Sequence, residues 1–260
     1  ERLEEKYEQI GQTARINHGL FFGANPENLD ECLRARHAVC ALKIFMASST
    51  GDLLVDREED LDRIFAAYEG RISVHAESEE RLLERIEAHK GHTDPAIHSV
   101  IRDPEAARLG VEMAANLANK YRRRLHILHM STRAEVSALE AGRQKAEREG
   151  TGARITAEAC PHHLFLNTDA YETWGNRVKM NPPLRQEEER AFMWEALGNG
   201  IVDMVATDHA PHLLDEKAKP FPHAPSGVPG IQTMLPLMLD AAHKGWCTPE
   251  QVVEWLCHAP

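Results

Sequence analysis

The stretch Ile201-Val202-Asp203-Met204-Val205-Ala206-Thr207 is a mainly apolar run that leads directly into Asp208-His209-Ala210-Pro211-His212. The run is typical of a buried strand, and an aspartate at the end of such a strand is how α/β barrels present a carboxylate to a metal or a substrate. The alternative is a strand that merely ends in a turn-forming Asp. The junction favours an enzyme, and other parts of the chain must support that reading.

Apolar runs and charged segments alternate along the rest of the chain. Strand-like runs lie at about 14–22, 39–46, 71–76, 125–130, 154–159 and 201–207, and helical spacing marks 56–68, 78–89, 103–121, 132–148 and 187–199. This alternation predicts an α/β fold with a parallel sheet. The runs are apolar on both faces, as expected where helices cover one side and a barrel core fills the other.

Six strands fall short of the eight that a (β/α)₈ TIM barrel requires. The chain opens without methionine in a helical pattern, so we expect strands three to eight of an incomplete barrel of the metal-dependent hydrolase type. Residues 1–260 are then one partial domain, which lacks the first strands and a C-terminal segment. Helical stretches near 231–243 and 249–257 follow the last strand.

Composition restricts the function classes. The 260 residues are 42% hydrophobic and 27% charged, as in ordinary globular proteins, and the net charge of −11 argues against a nucleic-acid surface. Five cysteines without a Cys-x-x-Cys pair suggest neither a zinc ribbon nor a disulfide framework, which fits a reducing cytoplasm. No run approaches the ~20 apolar residues of a membrane span.

Two histidines stand at the ends of strand-like runs. His75 ends the run that starts at Arg71, and His129 ends the run that starts at Leu125. A single such histidine is more often a hydrogen-bonded core residue than a ligand. Two of them together with Asp208, each from a different strand end, indicate a site for a zinc-like divalent ion, because such ions accept imidazole nitrogen and carboxylate oxygen.

Lys43 lies inside the apolar run 39–46. A buried ammonium is costly unless it is paired, reaches the surface or loses its proton. The lysine could extend to water at the end of the strand. Alternatively, burial lowers its pKa, and the neutral amine adds CO₂ to form a carbamate whose two oxygens can bridge two metals.

In the light of these residues, the chain resembles a dihydroorotase of the amidohydrolase superfamily, a family of cyclic amidohydrolases. The matching segments cover most of the chain in the order of the family. They are 42–46 with 48–52, Val74-His75-Ala76-Glu77, 126–129, Ala159-Cys160-Pro161-His162-His163-Leu164-Phe165-Leu166, 179–185, 206–212 and 226–236.

The resemblance implies a role for each matching residue. Lys43 would be carboxylated and would bridge two divalent ions, expected to be Zn²⁺, with His75 and His129 on the second ion. Asp208 would bind the first ion and act as the catalytic acid and base. The implied substrate contacts are Asn181, His212, Ser226 and Gly227.

The implied reaction is the reversible interconversion of L-dihydroorotate and N-carbamoyl-L-aspartate in pyrimidine biosynthesis. One departure from the family is clear, because no His-x-His pair occurs in the 260 residues. This departure leaves open a noncatalytic dihydroorotase-like scaffold for aspartate transcarbamoylase. A hydantoinase, dihydropyrimidinase or allantoinase also stays open, because such enzymes share the lysine, histidine and aspartate ligands. Homo-oligomers are also compatible with the sequence.

Several other polar residues are expected to have supporting or surface positions. His162 and His163 are expected to shape the site more than to bind the metal, and Glu158 is comparable. The run 185–190 is predicted to be a solvated helix start. A surface or strand-flank position is expected for the remaining histidines considered, which are His89, His92, His98 and His126.

Overall fold

The computed structural model describes residues 2–49 and 53–260. Across these residues, one parallel sheet contains six strands paired in chain order. The strands are β1 (Phe21–Gly23), β2 (Ala41–Phe45), β3 (Arg71–His75), β4 (Arg124–Met130), β5 (Arg154–Ala159) and β6 (Met204–Val205). The predicted fold class is therefore confirmed, with the strands in the order expected for the later part of a barrel.

The first and last strands are shorter than the sequence predicted. The run 14–22 is a strand only from Phe21, and Ile16 is 81% exposed, so no burial supports an earlier start. The run 201–207 is a strand only at 204–205. At Asp203 the side chain accepts hydrogen bonds from the Ala157 amide at 2.7 Å and from Arg143 at 2.6 Å, while the Asp203 amide donates to the Ala157 carbonyl oxygen at 3.0 Å.

Helices connect the strands at nearly the predicted positions. The long ones are α1 (Arg2–Thr13), α3 (Glu58–Ala67), α4 (Glu79–Ala88), α6 (Pro104–Tyr121), α7 (Arg133–Glu149), α10 (Glu187–Gly198) and α12 (Ile231–His243). The short ones are α2 (Leu29–Ala35), α5 (Ile97–Ile101), α8 (Pro161–Phe165), α9 (Ala170–Trp174), α11 (Leu214–Lys217) and α13 (Pro249–Val253). A 3₁₀ turn (Gly175–Val178) follows α9, and a π turn (Glu254–His258) follows α13. None of the helices described is long and apolar enough to cross a membrane.

The two faces of the strands differ more than the sequence predicted. Leu42, Ile72 and Leu125 belong to one buried cluster with side chains of the covering helices, such as Phe65 and Val111. The residue that follows each of these three strand residues is polar. Lys43, Ser73, His126 and Thr156 are paired neighbours across β2 to β5 and form one polar layer. The expectation of strands apolar on both faces is therefore wrong for this layer, which lies beside the functional residues.

Candidate metal centre and active site

Four residues predicted from separate strands line one cavity of about 180 Å³: Lys43, His75, His129 and Asp208. Lys43 lies in β2, His75 ends β3, His129 is the last but one residue of β4, and Asp208 follows β6. The carboxyl ends of parallel barrel strands lie at the same end of the barrel, which explains the convergence. Three of the four predicted substrate residues, Asn181, Ser226 and Gly227, line the same cavity.

One ring nitrogen of His75 faces one ring nitrogen of His129. His75 Nδ1 lies 3.0 Å from His129 Nε2, and both side chains are buried. Burial lowers the pKa of both imidazoles, so they are neutral, as metal ligands must be. Two ligands of a tetrahedral zinc ion with Zn–N of about 2.0–2.1 Å lie roughly 3.4 Å apart. The two nitrogens therefore fit a shared zinc-like ion with only a small adjustment.

A buried carboxylate and a buried guanidinium orient His75. Glu77 Oε2 lies 2.7 Å from His75 Nε2 and 2.5 Å from Arg102 Nη2. Burial alone would raise the pKa of Glu77, but Arg102 and His75 outweigh it and hold the pKa well below its ordinary value. The carboxylate thus accepts the His75 Nε2 proton and leaves the Nδ1 lone pair directed at the cavity.

The buried amine of Lys43 has an unusually low pKa for a lysine. Burial lowers the pKa of its amine to about 8, although Asp208, Glu158 and Cys160 oppose the change. The Nζ atom lies 4.3 Å from the centroid of the Phe45 ring, so the amine is held over an apolar wall. The lowered pKa gives Lys43 a larger neutral fraction near neutral pH than an ordinary lysine has, and the neutral amine is the form that can react with CO₂.

The backbone is strained at two of the four strand ends. His129 has φ of 41° and Asp208 has φ of 43°, in the left-handed region that non-glycine residues seldom adopt. The pairing of β4 with β5 is irregular between Ile127 and Met130, and this bulge directs His129 into the cavity. Strain of this kind is concentrated at functional sites.

The electrostatics of Asp208 are set by its burial. Burial raises the pKa of its carboxyl, Lys43 opposes the rise, and Glu158 adds to it.

Glu158 also pairs with His126, since Glu158 Oε2 lies 2.9 Å from His126 Nε2. His126 lies within β4 and is buried, so the expectation of a surface or strand-flank position is wrong for it.

Asn181 is positioned by His98, whose location differs from the one predicted from the sequence. His98 Nε2 lies 2.9 Å from Asn181 Oδ1 and 3.0 Å from the Met180 carbonyl oxygen. The prediction of a surface or flank position for His98 is wrong, because its side chain is buried in α5. Burial, reinforced by Arg102 and Lys179, lowers the pKa of His98 to about 3, so the ring stays neutral.

Ser226 and Gly227 line the cavity next to Asp208, whereas His212 contacts Ser226 without lining the cavity itself. The Nε2 atom of His212 lies 3.1 Å from the Ser226 carbonyl oxygen. Gly227 has φ of 140°, and a Cβ added there would lie 2.4 Å from the Ala210 oxygen. Only glycine fits so close to the Asp208–His212 segment, which allows the two loops to close one side of the cavity.

Two buried arginines, Arg102 and Arg185, were not expected from the sequence. The prediction of a solvated helix start is wrong at Arg185, which is buried and donates to Ser131 Oγ at 3.1 Å. The helix itself begins at Glu187. The position of Glu77 two residues after His75, on the same side of an extended chain, was the available signal for the Glu77 contact. The matched residues Thr50, Gly51 and Asp52 lie outside the described residues.

Known proteins resemble this chain in sequence and in fold. The sequence is 37% identical to a dihydroorotase from Halobacterium salinarum over 252 residues, or 96% of this chain and 56% of that protein. It is 31% identical to an allantoinase from Streptomyces avermitilis, covering 98% of this chain and 56% of that protein. The L-hydantoinase (dihydropyrimidinase) from Arthrobacter aurescens superposes with a TM-score of 0.90 at 29% identity, covering 99% of this chain and 58% of that chain.

The chain belongs to the cyclic amidohydrolases of the amidohydrolase superfamily, and its barrel fold is that of their metal-dependent hydrolases. Several dihydroorotases match the chain at 35–37% identity over 93–96% of its length, which confirms the resemblance inferred from the motifs. The chain spans about half the length of the curated relatives it matches. A scan against models of protein families finds no match.

Two further relatives are multifunctional proteins. The chain is 30% identical to the multifunctional protein CAD from Squalus acanthias over 248 residues, which is 95% of this chain and 9% of that protein. An inactive dihydroorotase-like domain of a CAD-like protein from Chaetomium thermophilum superposes with a TM-score of 0.68 at 19% identity, covering 99% of this chain and 62% of that chain. At that identity the likeness concerns the fold alone.

Proposed function

We propose that this chain carries the catalytic residues of a dihydroorotase, which interconverts L-dihydroorotate and N-carbamoyl-L-aspartate. The observation that carries the proposal is the meeting of Lys43, His75, His129 and Asp208 at one cavity. This meeting occurs in a chain that matches dihydroorotases over nearly its whole length. Five free cysteines suit a reducing compartment such as the cytoplasm, where we place the reaction.

Two divalent ions, which we propose to be Zn²⁺, would share this donor set. A carboxylated Lys43 would bridge them, His75 and His129 would bind one, and Asp208 would bind the other. Imidazole nitrogen and carboxylate oxygen are ligands that zinc accepts. Bound in this cavity, such ions supply a water of lowered pKa and a Lewis acid for an amide carbonyl.

Lys43 can become an anionic ligand without any further protein group. The neutral amine attacks the carbon of CO₂, an N–C bond forms, and one proton leaves to solvent. The product is a carbamate with one negative charge shared by two oxygens. The lowered pKa of about 8 favours this reaction, because it increases the fraction of neutral amine relative to an ordinary lysine.

Asp208 would move the proton in both directions of the reaction. It accepts a proton from the attacking water as the new C–O bond forms at the amide carbon. It then delivers that proton to the ring nitrogen as the C–N bond breaks, and ring closure reverses these steps. Burial raises the pKa of the carboxyl, which makes it a better base than an exposed aspartate.

Asn181, His212, Ser226 and Gly227 would bind the substrate. Asn181 offers its amide at the cavity wall, and Ser226 and Gly227 offer backbone groups beside Asp208. His212 is held against the Ser226 carbonyl oxygen, so it can orient this wall or contact a substrate carboxylate directly. Because the net charge of the protein is −11, attraction of an anionic substrate depends on such local groups.

The test is a substrate panel with the full-length protein loaded with Zn²⁺. Turnover of L-dihydroorotate and of N-carbamoyl-L-aspartate is expected, with kcat/KM at least about tenfold above the values for hydantoin, dihydrouracil and allantoin, a difference of about 1.4 kcal/mol in barrier. A clear preference for another cyclic amide would overturn the assignment of substrate while keeping the reaction class.

A hydantoinase or allantoinase activity is the second candidate. The TM-score of 0.90 with L-hydantoinase and the 31% identity with an allantoinase favour it. The same substrate panel decides between the two, because each candidate predicts a different preferred ring.

A noncatalytic scaffold that assembles with aspartate transcarbamoylase is a third candidate. The similarity to the multifunctional protein CAD favours it. A scaffold predicts a full-length protein that forms a stable complex with aspartate transcarbamoylase in size-exclusion chromatography and has no turnover on any cyclic amide after Zn²⁺ loading. Turnover of any of them excludes it.

A further inference from the structure

Cys160, His162 and His163 form a second cluster of potential metal ligands. The Cys160 sulfur and one ring nitrogen from each histidine lie within 4.8 Å of one another, and all three side chains are buried. The cluster begins at the end of β5, where Cys160 precedes the first residue of α8. Its residues do not line the cavity formed by Lys43, His75, His129 and Asp208, although Cys160 is near enough to affect the pKa of Lys43.

Two nitrogens of this cluster lack the partners that buried polar atoms require. Within residues 2–49 and 53–260, His162 Nε2 and His163 Nδ1 are buried without a hydrogen-bond partner. The side chains are only 7% and 3% exposed. Leaving such an atom unsatisfied costs about 1–3 kcal/mol. Two of them in adjacent residues, beside a thiol, indicate a position for a ligand.

The second nitrogen of His163 is already engaged in the manner of a metal ligand. His163 Nε2 lies 3.0 Å from the Pro182 carbonyl oxygen, so it holds the ring proton and donates it. The lone pair is then on Nδ1, the unpartnered atom. A metal-binding histidine usually donates its other N–H to a carboxylate or a backbone carbonyl, which fixes the ring and its tautomer.

The spacing also suits an ion. The rings of His162 and His163 are T-shaped, with centroids 4.3 Å apart. Tetrahedral zinc, with bonds of about 2.0–2.3 Å, holds nitrogen and sulfur ligands roughly 3.3–3.6 Å apart. Since the three ligand atoms are within 4.8 Å of one another, small side-chain rotations would close the site.

We propose that Cys160, His162 and His163 bind one borderline divalent transition-metal ion of the zinc class, separate from the ions proposed for the main cavity. The ion takes the thiolate sulfur and two imidazole nitrogens, and the thiol proton leaves to solvent. A thiolate ligand selects against Mg²⁺ and Ca²⁺. Through the hydrogen bond from His163 to Pro182, the ion would also stiffen the segment that carries Asn181.

Cobalt(II) is the probe that separates this site from the main cavity. A Co²⁺ ion bound to a cysteine thiolate has a sulfur-to-metal charge-transfer absorption in the near ultraviolet, whereas Lys43, His75, His129 and Asp208 contain no sulfur. Titration of the metal-free full-length protein with Co²⁺ is expected to produce this absorption and to saturate it. Its absence, with Co²⁺ bound elsewhere, would overturn the proposal.

Variants identify the ligands. Cys160→Ser is expected to abolish the absorption, and the matched Cys247→Ser to retain it, because Cys247 lies outside the cluster. His162→Gln and His163→Gln are expected to keep the thiolate band but to weaken Co²⁺ affinity by at least about tenfold. Circular dichroism verifies that each variant is folded.

Two outcomes contradict the site even when every variant folds. One is a band that survives Cys160→Ser, and the other is an unchanged affinity in both histidine variants. Asp208→Asn should leave the band intact, so that failure of the proposed reaction and failure of this metal site are recognised independently.

Discussion

The two sides of the main cavity are held in different ways. On one side, His75 is fixed by Glu77, Glu77 is paired with Arg102, and His129 faces His75 at 3.0 Å. On the other side, Lys43 and Asp208 change each other's pKa through space, and within the described residues no hydrogen bond joins the two groups.

This difference has a physical reason. Ligand side chains work best when they are already oriented, and a buried ion pair provides a rigid support at the cost of desolvation. A carboxylate that accepts and returns a proton must keep access to both protonation states. Under the proposed function, the His75 side would hold metal ligands in position and the Asp208 side would transfer the proton.

The largest effect is expected from Asp208→Asn in the full-length protein. Loss of the proton carrier should lower kcat by about 10²–10⁴-fold. Metal binding should remain in part, because His75, His129 and Lys43 are unchanged. Steady-state kinetics and metal analysis measure the two quantities. Near wild-type turnover would contradict the role of Asp208.

The matched control for this change is Asp203→Asn, five positions earlier on the same segment. Asp203 binds Arg143 and the Ala157 amide, away from the cavity. We expect turnover close to wild type in this variant, at a modest cost in stability.

Breaking the support on the His75 side should mainly affect stability. Arg102→Met leaves Glu77 buried without its cation, since the two side chains are 8% and 0% exposed. Removal of one partner from a buried pair costs about 3–5 kcal/mol of the free energy of unfolding. Urea denaturation measures the loss.

Arg81→Met provides the comparison for Arg102→Met. Arg81 pairs with Asp103, but its side chain is 31% exposed, so water screens the pair. The expected loss is about 1 kcal/mol or less. Equal losses in the two variants would contradict a special role for the buried pair.

A smaller effect is expected when Glu77 is replaced by glutamine, which has the same shape but no charge. Glu77→Gln should weaken metal affinity by about 10–100-fold, because the imidazole of His75 loses its anionic partner. Competition with a chelator measures the affinity. Glu79→Gln is the control, since Glu79 is buried but binds the Ser48 amide at 2.6 Å instead of a histidine. Unchanged affinity in Glu77→Gln would show that orientation alone suffices.

The smallest expected effect concerns the titration of Lys43 in metal-free protein. Because burial lowers its pKa from 10.5 to about 8, labelling by a small acylating reagent should rise with pH around a midpoint near 8. Asp208→Asn should move this midpoint lower, since the carboxylate favours the ammonium form. Mass spectrometry of the labelled peptide measures it. A midpoint near that of ordinary lysines, about 10.4, would contradict the buried amine.

Regular elements were predictable where local pattern and packing agree. The strand predicted at 154–159 is β5 (Arg154–Ala159), and the helix predicted at 103–121 is α6 (Pro104–Tyr121), where Asp103 caps the helix and accepts from the Ala106 amide. The first strand was predicted too long, because an apolar pattern does not show whether anything covers it.

The candidate site was predictable to the extent that its residues follow strands. Lys43, His75, His129 and Asp208 were selected by this rule, and the structure brings them together, while their roles as ligands stay predictions. The bulge at Ile127 explains why both His126 and His129 reach the interior despite a spacing of three residues. A regular strand would direct residues three apart to opposite faces.

The sequence alone determined the order of strands and helices, the superfamily motifs and the residues offered at each strand end. These follow from local hydrophobic periodicity and from residue chemistry. Only the tertiary structure decided which polar groups are buried together: the Glu77–Arg102 support, the neutral His98, the buried Arg185 and the Cys160 cluster. Burial and pairing depend on contacts between residues far apart in the chain, which no local pattern encodes.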